Sequence, residues 1–338
     1  MGSATRGCLT IAQRDRHKPV VPIRPALIAL AATFAAGCAT PSHWTVSPAS
    51  VAAHEAFLAS DALRGRGSAT PDEAVAAAYV AARFQAVGLR PAPGMAGYLQ
   101  TLRVPRDKQT AQVLAGAIVT NAIGYLPGRD LGAGVVLFSA HLDHLGVVKG
   151  VTFPGANDDA SGTTAVLEVA RALAASGPHR RGILFACYGG EELGGVGSNY
   201  FGAHPPIPLT DIVANIEFEM IGAQDPKLPP GKMMMTGFDR SNLGPELAAR
   251  GFLVTGDPYP QEHFFERSDN YQLALKGVVA HTISGWAVTP TYHQPSDTAA
   301  NIDIPFMTRA IQSLIEPARW LVDGDFRPQW VPGGQPRG

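Results

Sequence analysis

Val135-Val136-Leu137-Phe138-Ser139-Ala140-His141-Leu142-Asp143-His144 is an uncharged, largely apolar run that ends in two imidazoles and a carboxylate. A strand buried on both faces reads as a continuous apolar run, not as an alternating one, and such strands belong to the interior of parallel sheets. Ligands of open α/β sheets bind beyond the carboxyl ends of the strands. His141 and Asp143 therefore fall where a site is expected.

The same pattern recurs on the carboxyl side. Gly182 to Cys187, Ile212 to Phe218 and Gly277 to Ile283 are further apolar runs. Glu191-Glu192 follow the first of these, and Glu219 ends the second. Thr163 to Ala174 and Pro305 to Val322 carry helical spacing between and after the strands. Ala117 to Leu126 reads as a strand before the turn Pro127-Gly128. Upstream, Ala49 to Ala62 and Pro71 to Val87 are helical, the second opened by Pro71 and closed by Gly88. Strands alternating with helices predict an α/β fold: a doubly wound, mostly parallel twisted sheet with helices on both faces.

The totals suit this reading. The chain has 338 residues, is 46% hydrophobic and 16% charged, and has a formal net charge of -1. That is enough apolar material for one sizeable core, and too little charge to steer nucleic acid. No internal repeat interrupts residues 49–325, which are expected to form a single catalytic domain.

The N-terminus has a different character. Arg6, Arg14, Arg16, Lys18 and Arg24 precede the apolar segment Ala26 to Ala36, and Ala35-Ala36-Gly37-Cys38 follows. A basic region, a short apolar stretch and small residues make a secretory signal. It is shorter than the roughly 20 residues of a membrane-spanning helix. The small residues before Cys38 resemble a bacterial lipobox, which implies a signal over 1–38 and lipidation of Cys38. By the same resemblance, Ala39 points away from retention in an inner membrane. The expectation is export to the cell envelope, with membrane contact only through this anchor. Residues 39–48 read as a tether and 326–338, rich in Pro and Gly, as a loose tail. Of the three cysteines, Cys8, Cys38 and Cys187, only Cys187 would remain as a free thiol, inert within its apolar run.

Between the first two of these strands lies Gly155-Ala156-Asn157-Asp158-Asp159-Ala160-Ser161-Gly162, two adjacent carboxylates in a loop of small residues. His293 comes near the end, in Tyr292-His293-Gln294-Pro295-Ser296-Asp297-Thr298. His, Asp and Glu without Cys is a donor set for catalytic zinc or another borderline divalent ion. Two ions sharing a carboxylate would hold a water, lower its pKa and polarise a carbonyl.

These motifs resemble the co-catalytic zinc peptidase family of bacterial leucyl aminopeptidases and glutamate carboxypeptidase II. The likeness covers roughly 115 to 305, in His141-Leu142-Asp143, Gly155 to Gly162, Glu191 to Ser198, Glu219 to Gly222 and Tyr292 to Thr298. It implies two divalent ions, zinc by the family, and a peptide substrate. His141 and Glu219 would bind one ion, Glu192 and His293 the other, and Asp158 would bridge them. Asp143 would orient His141, Glu191 would be the general base, and Tyr292 would hydrogen-bond the developing oxyanion. The family pattern also implies a cis peptide between Asp158 and Asp159.

Several alternatives stay open at this level. The family has Asp where this chain has Glu219, and Glu217 lies on the same strand face. His144 reads as structural, and Asp159 as a loop or orienting residue. Tyr292 has a packing reading. Asp269 either lies near the substrate or caps a helix, and Phe264 and Phe265 line either a side-chain pocket or the core. His43, His54, His263 and His281 read as structural or surface. For function, an aminopeptidase leads; a carboxypeptidase or aminoacylase-like amidase is second, needing a basic cluster to which only Arg240 and Arg267 offer themselves. A non-catalytic envelope binding module is the remote alternative.

Overall fold

The computed structural model describes residues 44–104, 114 and 116–337. The signal segment, Cys38 and the tether up to His43 lie outside the described residues. No helix among the described residues is long and apolar enough to cross a membrane.

The first two helices are α1 (Pro48–Leu58) and α2 (Pro71–Ala86). Both begin on a capping side chain with Pro in the first turn: Ser47 accepts from the Ser50 amide, and Thr70 from the Glu73 amide. There follow β1 (Leu99–Arg103), β2 (Ile118–Leu126), β3 (Val135–His141) and a small hairpin, β4 (Gly146–Val148) with β5 (Val151–Phe153). Helix α3 (Ser161–Ser176) leads to β6 (Gly182–Tyr188), and α4 (Val196–Ala203) to β7 (Ile212–Glu219). The rest comprises β8 (Met233–Met235), α5 (Leu243–Ala249), β9 (Val254–Gly256), α6 (Asn270–Leu275), β10 (Ala280–Ser284) and α7 (Ile304–Asp323).

Eight strands form one sheet in the order β1-β2-β6-β3-β7-β10-β8-β9. Its centre, β6-β3-β7-β10, is parallel, while β1-β2, β2-β6 and β10-β8 pair antiparallel. The chain passes from β3 through α3 to β6 on one side of β3, then through α4 to β7 on the other. The order thus reverses at β3, and the crevice at such a switch point is where ligands bind.

Period-two geometry assigns the central strands to two cores. Val136, Phe138 and Ala140 of β3, with Ile183, Phe185 and Cys187 of β6, pack in a cluster that includes residues of α1, α2, α3, α5 and α7. Val135 and Leu137, with Leu184, Ala186 and Tyr188, pack with Phe201 of α4 and Leu273 and Ala274 of α6. Helices cover both faces, which is why β3 and β6 carry no acid or base before their carboxyl ends. Cys187 is buried and free, and burial pushes its thiol up.

Two expectations about the ends are corrected. The segment after Asp323 is docked, not loose: Gln329 N donates to Asn242 Oδ1 at 2.8 Å and Val331 N to Arg240 O at 3.0 Å, while Trp330 packs on Phe265. At the other end of the domain, Val46 N donates to Gln312 Oε1 at 2.8 Å, so the last residues of the tether lie against α7. In both places backbone amides supply hydrogen bonds, and Val46 and Trp330 add apolar packing against the core.

Candidate active site

His141 is the last residue of β3 and Glu219 the last of β7; Glu191 and Glu192 follow β6 by a tight turn. Asp158 lies in the loop that opens α3, and His293 in the turn before α7. The fold brings all of them to one end of the sheet.

Their atoms form two groups that share one carboxylate. His141, Asp158 and Glu219 each offer a donor atom within 4.8 Å of the others, and so do His144, Asp158, Glu192 and His293. Asp158 faces both ways. Its Oδ1 is 3.2 Å from His141 Nε2, and its Oδ2 is 3.1 Å from His293 Nε2 and 3.7 Å from His144 Nδ1. Glu192 Oε1 lies 3.4 Å from His293 Nε2 and 2.9 Å from His144 Nδ1.

This set fits divalent cations on its own terms. His141 Nε2, both His144 ring nitrogens and Glu192 Oε1 are buried and make no hydrogen bond of good geometry among the described residues. Orphaned buried polar atoms are costly unless something satisfies them. Burial works against the charge on Asp158, yet His144, His141 and His293 hold it well below the usual carboxylate range. His293, beside Asp158 and Glu192, is pushed up to about 10. Burial also opposes a charged His141, but Asp143 and Asp158 raise it well above its ordinary value. Both rings are raised because carboxylates stand against them.

A layer of buried polar residues fixes the donors. Asp143 stands 3.8 Å from His141 Nδ1, and its carboxylate accepts from Ser68 Oγ, from Glu191 N at 3.1 Å and from Glu192 N at 3.4 Å. His141 Nδ1 lies 3.2 Å from the Asp143 backbone O, so Asp143 orients the imidazole through its carbonyl and pins the Glu191-Glu192 turn through its carboxylate. Asp159 does not enter either group: it accepts from Gly162 N at 2.9 Å, Met220 N at 3.1 Å and His141 N at 3.3 Å, tying three segments together. Asp297 accepts from Asn157 N at 2.9 Å and Asp158 N at 3.1 Å. The Asp158-Asp159 peptide is cis, as the resemblance implied.

Two glycines are required at close approaches. A Cβ on Gly162 would lie 2.1 Å from Phe218 O and 2.4 Å from the Asp159 carboxylate. Gly155 has φ +62, and a Cβ there would lie 2.4 Å from the His144 ring.

Arg66 is the largest element of the site without a sequence signal. Its guanidinium is buried and donates to Leu142 O at 2.8 Å, Leu58 O at 2.6 Å, Pro154 O at 2.7 Å and Gly155 O at 2.7 Å. It clamps the loop after β3 to the loop before Asp158. Arg66 itself has φ 50, Arg64 φ 43 and Ala69 φ 59. Non-glycine residues rarely adopt this left-handed region, so the surrounding contacts hold the segment there. Only the run of Gly and Arg between two helices hinted at it.

The open alternatives resolve as follows. Glu219, not Glu217, joins His141 and Asp158; Glu217 is buried, and its Oε2 accepts from Asn270 N at 2.6 Å and Thr282 Oγ1 at 3.1 Å. His144, read as structural, lies among the donors because the backbone turns back after Asp143 and the bare Gly155 leaves room for its ring. Asp269 makes no capping hydrogen bond; its carboxylate accepts from Ser198 Oγ. Phe264 lines a cavity with Glu219, Met220, Met234, Arg267 and Tyr292, whereas Phe265 packs in the core. Tyr292 stacks on His293 with ring centroids 3.9 Å apart, and burial pushes its hydroxyl up. His281 and His54 are structural: buried, hydrogen-bonded to Ser241 and Tyr79.

The α/β sheet thus collects two imidazole–carboxylate groups around one shared aspartate, a donor set suited to two divalent cations. The chain belongs to peptidase family M28, whose model matches residues 121–316. It is 30% identical over 201 residues to a probable lipoprotein aminopeptidase, LpqL, of Mycobacterium tuberculosis, covering 51% of this chain and 39% of that protein. It is 33% identical over 146 residues to leupeptin-inactivating enzyme 1 of Streptomyces exfoliatus, covering 40% and 32%. The chain therefore spans well under half the length of either relative. The fold matches an aminopeptidase from Aneurinibacillus sp. strain AM-1 with a TM-score of 0.62 and 17% identity, over 87% of this chain and 98% of that one.

Proposed function

We propose that the chain is a metal-dependent exopeptidase of the aminopeptidase type. The observation that carries this is Asp158, whose two oxygens address separate donor groups, His141 with Glu219 on one side and Glu192 with His293 on the other. Two divalent cations held there, zinc by the donor set, would supply a polarised carbonyl and a water ionised near neutral pH.

The side chains do the rest. Burial raises the Glu191 carboxyl well above its ordinary value, though His141 opposes this. A carboxylate so tuned is suited to take the proton of the attacking water and deliver it to the leaving amine. Its turn is fixed by Asp143, which fixes His141 as well. Tyr292 keeps its proton and is placed on the cavity wall beside Glu219, where it can donate to the developing oxyanion. The Glu219 carboxylate on the cavity wall, with Glu191 near it, favours a substrate with a free amino terminus. Arg267 is the one cation on the cavity wall; it lies over the Phe264 ring and 3.5 Å from Glu262, so no cluster is spare for a substrate carboxylate. The lipobox resemblance at Cys38 and the lipoprotein relative support anchorage at the cell envelope.

The test is hydrolysis of aminoacyl-p-nitroanilides with and without a chelator, beside N-blocked controls. Cleavage of free-amine substrates that chelator abolishes is expected. Activity confined to N-blocked substrates would replace the aminopeptidase with the amidase. Glu191→Gln should bind zinc as the wild type does and lose at least a hundredfold in kcat, in line with general-base loss.

A further inference from the structure

We propose that His144 is a fourth protein ligand of the second cation, through Nδ1, and that this cation is thereby saturated by protein donors while the first is not. The inference rests on the two-cation reading above and goes beyond it, since neither the family pattern nor the relatives' names assign His144.

The geometry is that of a coordination polyhedron. Ligand atoms about 2.0–2.1 Å from a tetrahedral zinc ion are separated by about 3.3 Å along each edge. Four of the six edges of the His144–Asp158–Glu192–His293 group are 2.9, 3.1, 3.4 and 3.7 Å. They bracket the ideal value, and all four donors lie within 4.8 Å of one another. Chance proximity of a structural histidine would not require its Nδ1 to complete that figure.

The ring's surroundings agree. His144 is 0% exposed, and neither nitrogen makes a hydrogen bond of good geometry among the described residues, although Nδ1 lies 2.9 Å from Glu192 Oε1. Buried ring nitrogens without a well-aligned partner are costly; a cation at Nδ1 removes part of that cost. The ring stands edge-on to His293 with centroids 5.5 Å apart, so the two present nitrogens to a common point instead of stacking. Gly155 leaves the space the ring fills, and His144 N donates to Arg66 O at 3.2 Å, which fixes the backbone from which it projects.

The consequence is asymmetry. Four protein donors make a closed site of the structural type, whereas three protein donors leave an open position of the catalytic type. The His141–Asp158–Glu219 group has three. The open position for substrate would then lie at the site held by His141, Asp158 and Glu219, while His144, Glu192 and His293 would hold a cation against Asp158 from the other side.

The decisive experiment is long-range proton–nitrogen NMR of the protein with 15N-labelled histidine, loaded with zinc. His144 Nδ1 should show a metal-bound shift and carry no proton, with the proton on Nε2. A proton on Nδ1 would show that His144 merely donates to Glu192 and would overturn the proposal. In titrations, His144→Asn should weaken the second zinc equivalent by more than a hundredfold, beyond the 10–100-fold typical of losing an orienting partner; a smaller loss counts against ligation. Should that variant fail to fold, the wild-type spectrum still decides. Chelator-sensitive hydrolysis with a protonated Nδ1 would sink this inference alone, whereas failure to bind a second zinc would sink the functional reading beneath it.

Discussion

Replacing Arg66 with Met removes four hydrogen bonds at once and leaves the hydrocarbon stem's volume nearly unchanged. The carbonyls of Leu58, Leu142, Pro154 and Gly155 would lose their guanidinium partner in a place with no water access, since Arg66 is 0% exposed. Gly155 O still accepts from Ala160 N at 3.2 Å, so three buried acceptors are left unsatisfied at about 1–3 kcal/mol each, a gross loss of about 3–9 kcal/mol. Against this stands the desolvation of the guanidinium, several kcal/mol, which the variant no longer bears. The net expected destabilisation is on the order of 3–5 kcal/mol. Urea unfolding of the metal-free protein, followed by circular dichroism, measures it. Because Leu142 adjoins His141 and Gly155 begins the Asp158 loop, zinc affinity by chelator competition should also fall at least tenfold in the folded variant. Arg66→Lys should not rescue either quantity, because a point ammonium cannot span four carbonyls as a planar fork does. A Met variant within ~1 kcal/mol of wild type, or a Lys variant indistinguishable from it, would refute the clamp.

Other perturbations test separate parts of the structure. Glu55 is buried, and burial raises its carboxyl to about 8, against the hydrogen bond from Thr164 Oγ1. The folded state therefore holds this proton where the unfolded chain has released it. Stability from this group is complete below the unfolded value near 4.5 and is lost as pH rises toward 8. Glu55→Gln should flatten the pH dependence of the urea midpoint across that window and be the more stable form at its upper end; an unchanged slope would place the proton elsewhere. Gly162→Ala would set a Cβ against Phe218 O and the Asp159 carboxylate, so zinc binding should fail together with a loss of more than about 2 kcal/mol; normal metal affinity in that variant would show that the loop relaxes freely.

The apolar runs of β3, β6, β7 and β10 were legible because burial on both faces keeps charge out of most of each strand, the buried Glu217 of β7 being the exception. Their order then placed His141, Glu191, Glu192 and Glu219 at one end of the sheet, so the broad chemistry could be read from the chain. The choice of Glu219 over Glu217 was not: both have the right period, and only the register against β10 ties Glu217 to Thr282 and Asn270. The place of His144 among the donors was hidden for a related cause. A histidine in a turn carries no period, and its role depends on which segments lie opposite.

Sequence alone thus determined the layered α/β architecture and the end of the sheet that carries the chemistry, because side-chain hydrophobicity at each position reports burial directly. Tertiary structure alone decided which polar atoms meet. Asp297 reaches back 139 residues to hold Asp158, and Arg66 reaches forward 89 to hold Gly155. Hydrogen bonds and coordination depend on distances of a few tenths of an ångström between remote loops, and no local pattern encodes those.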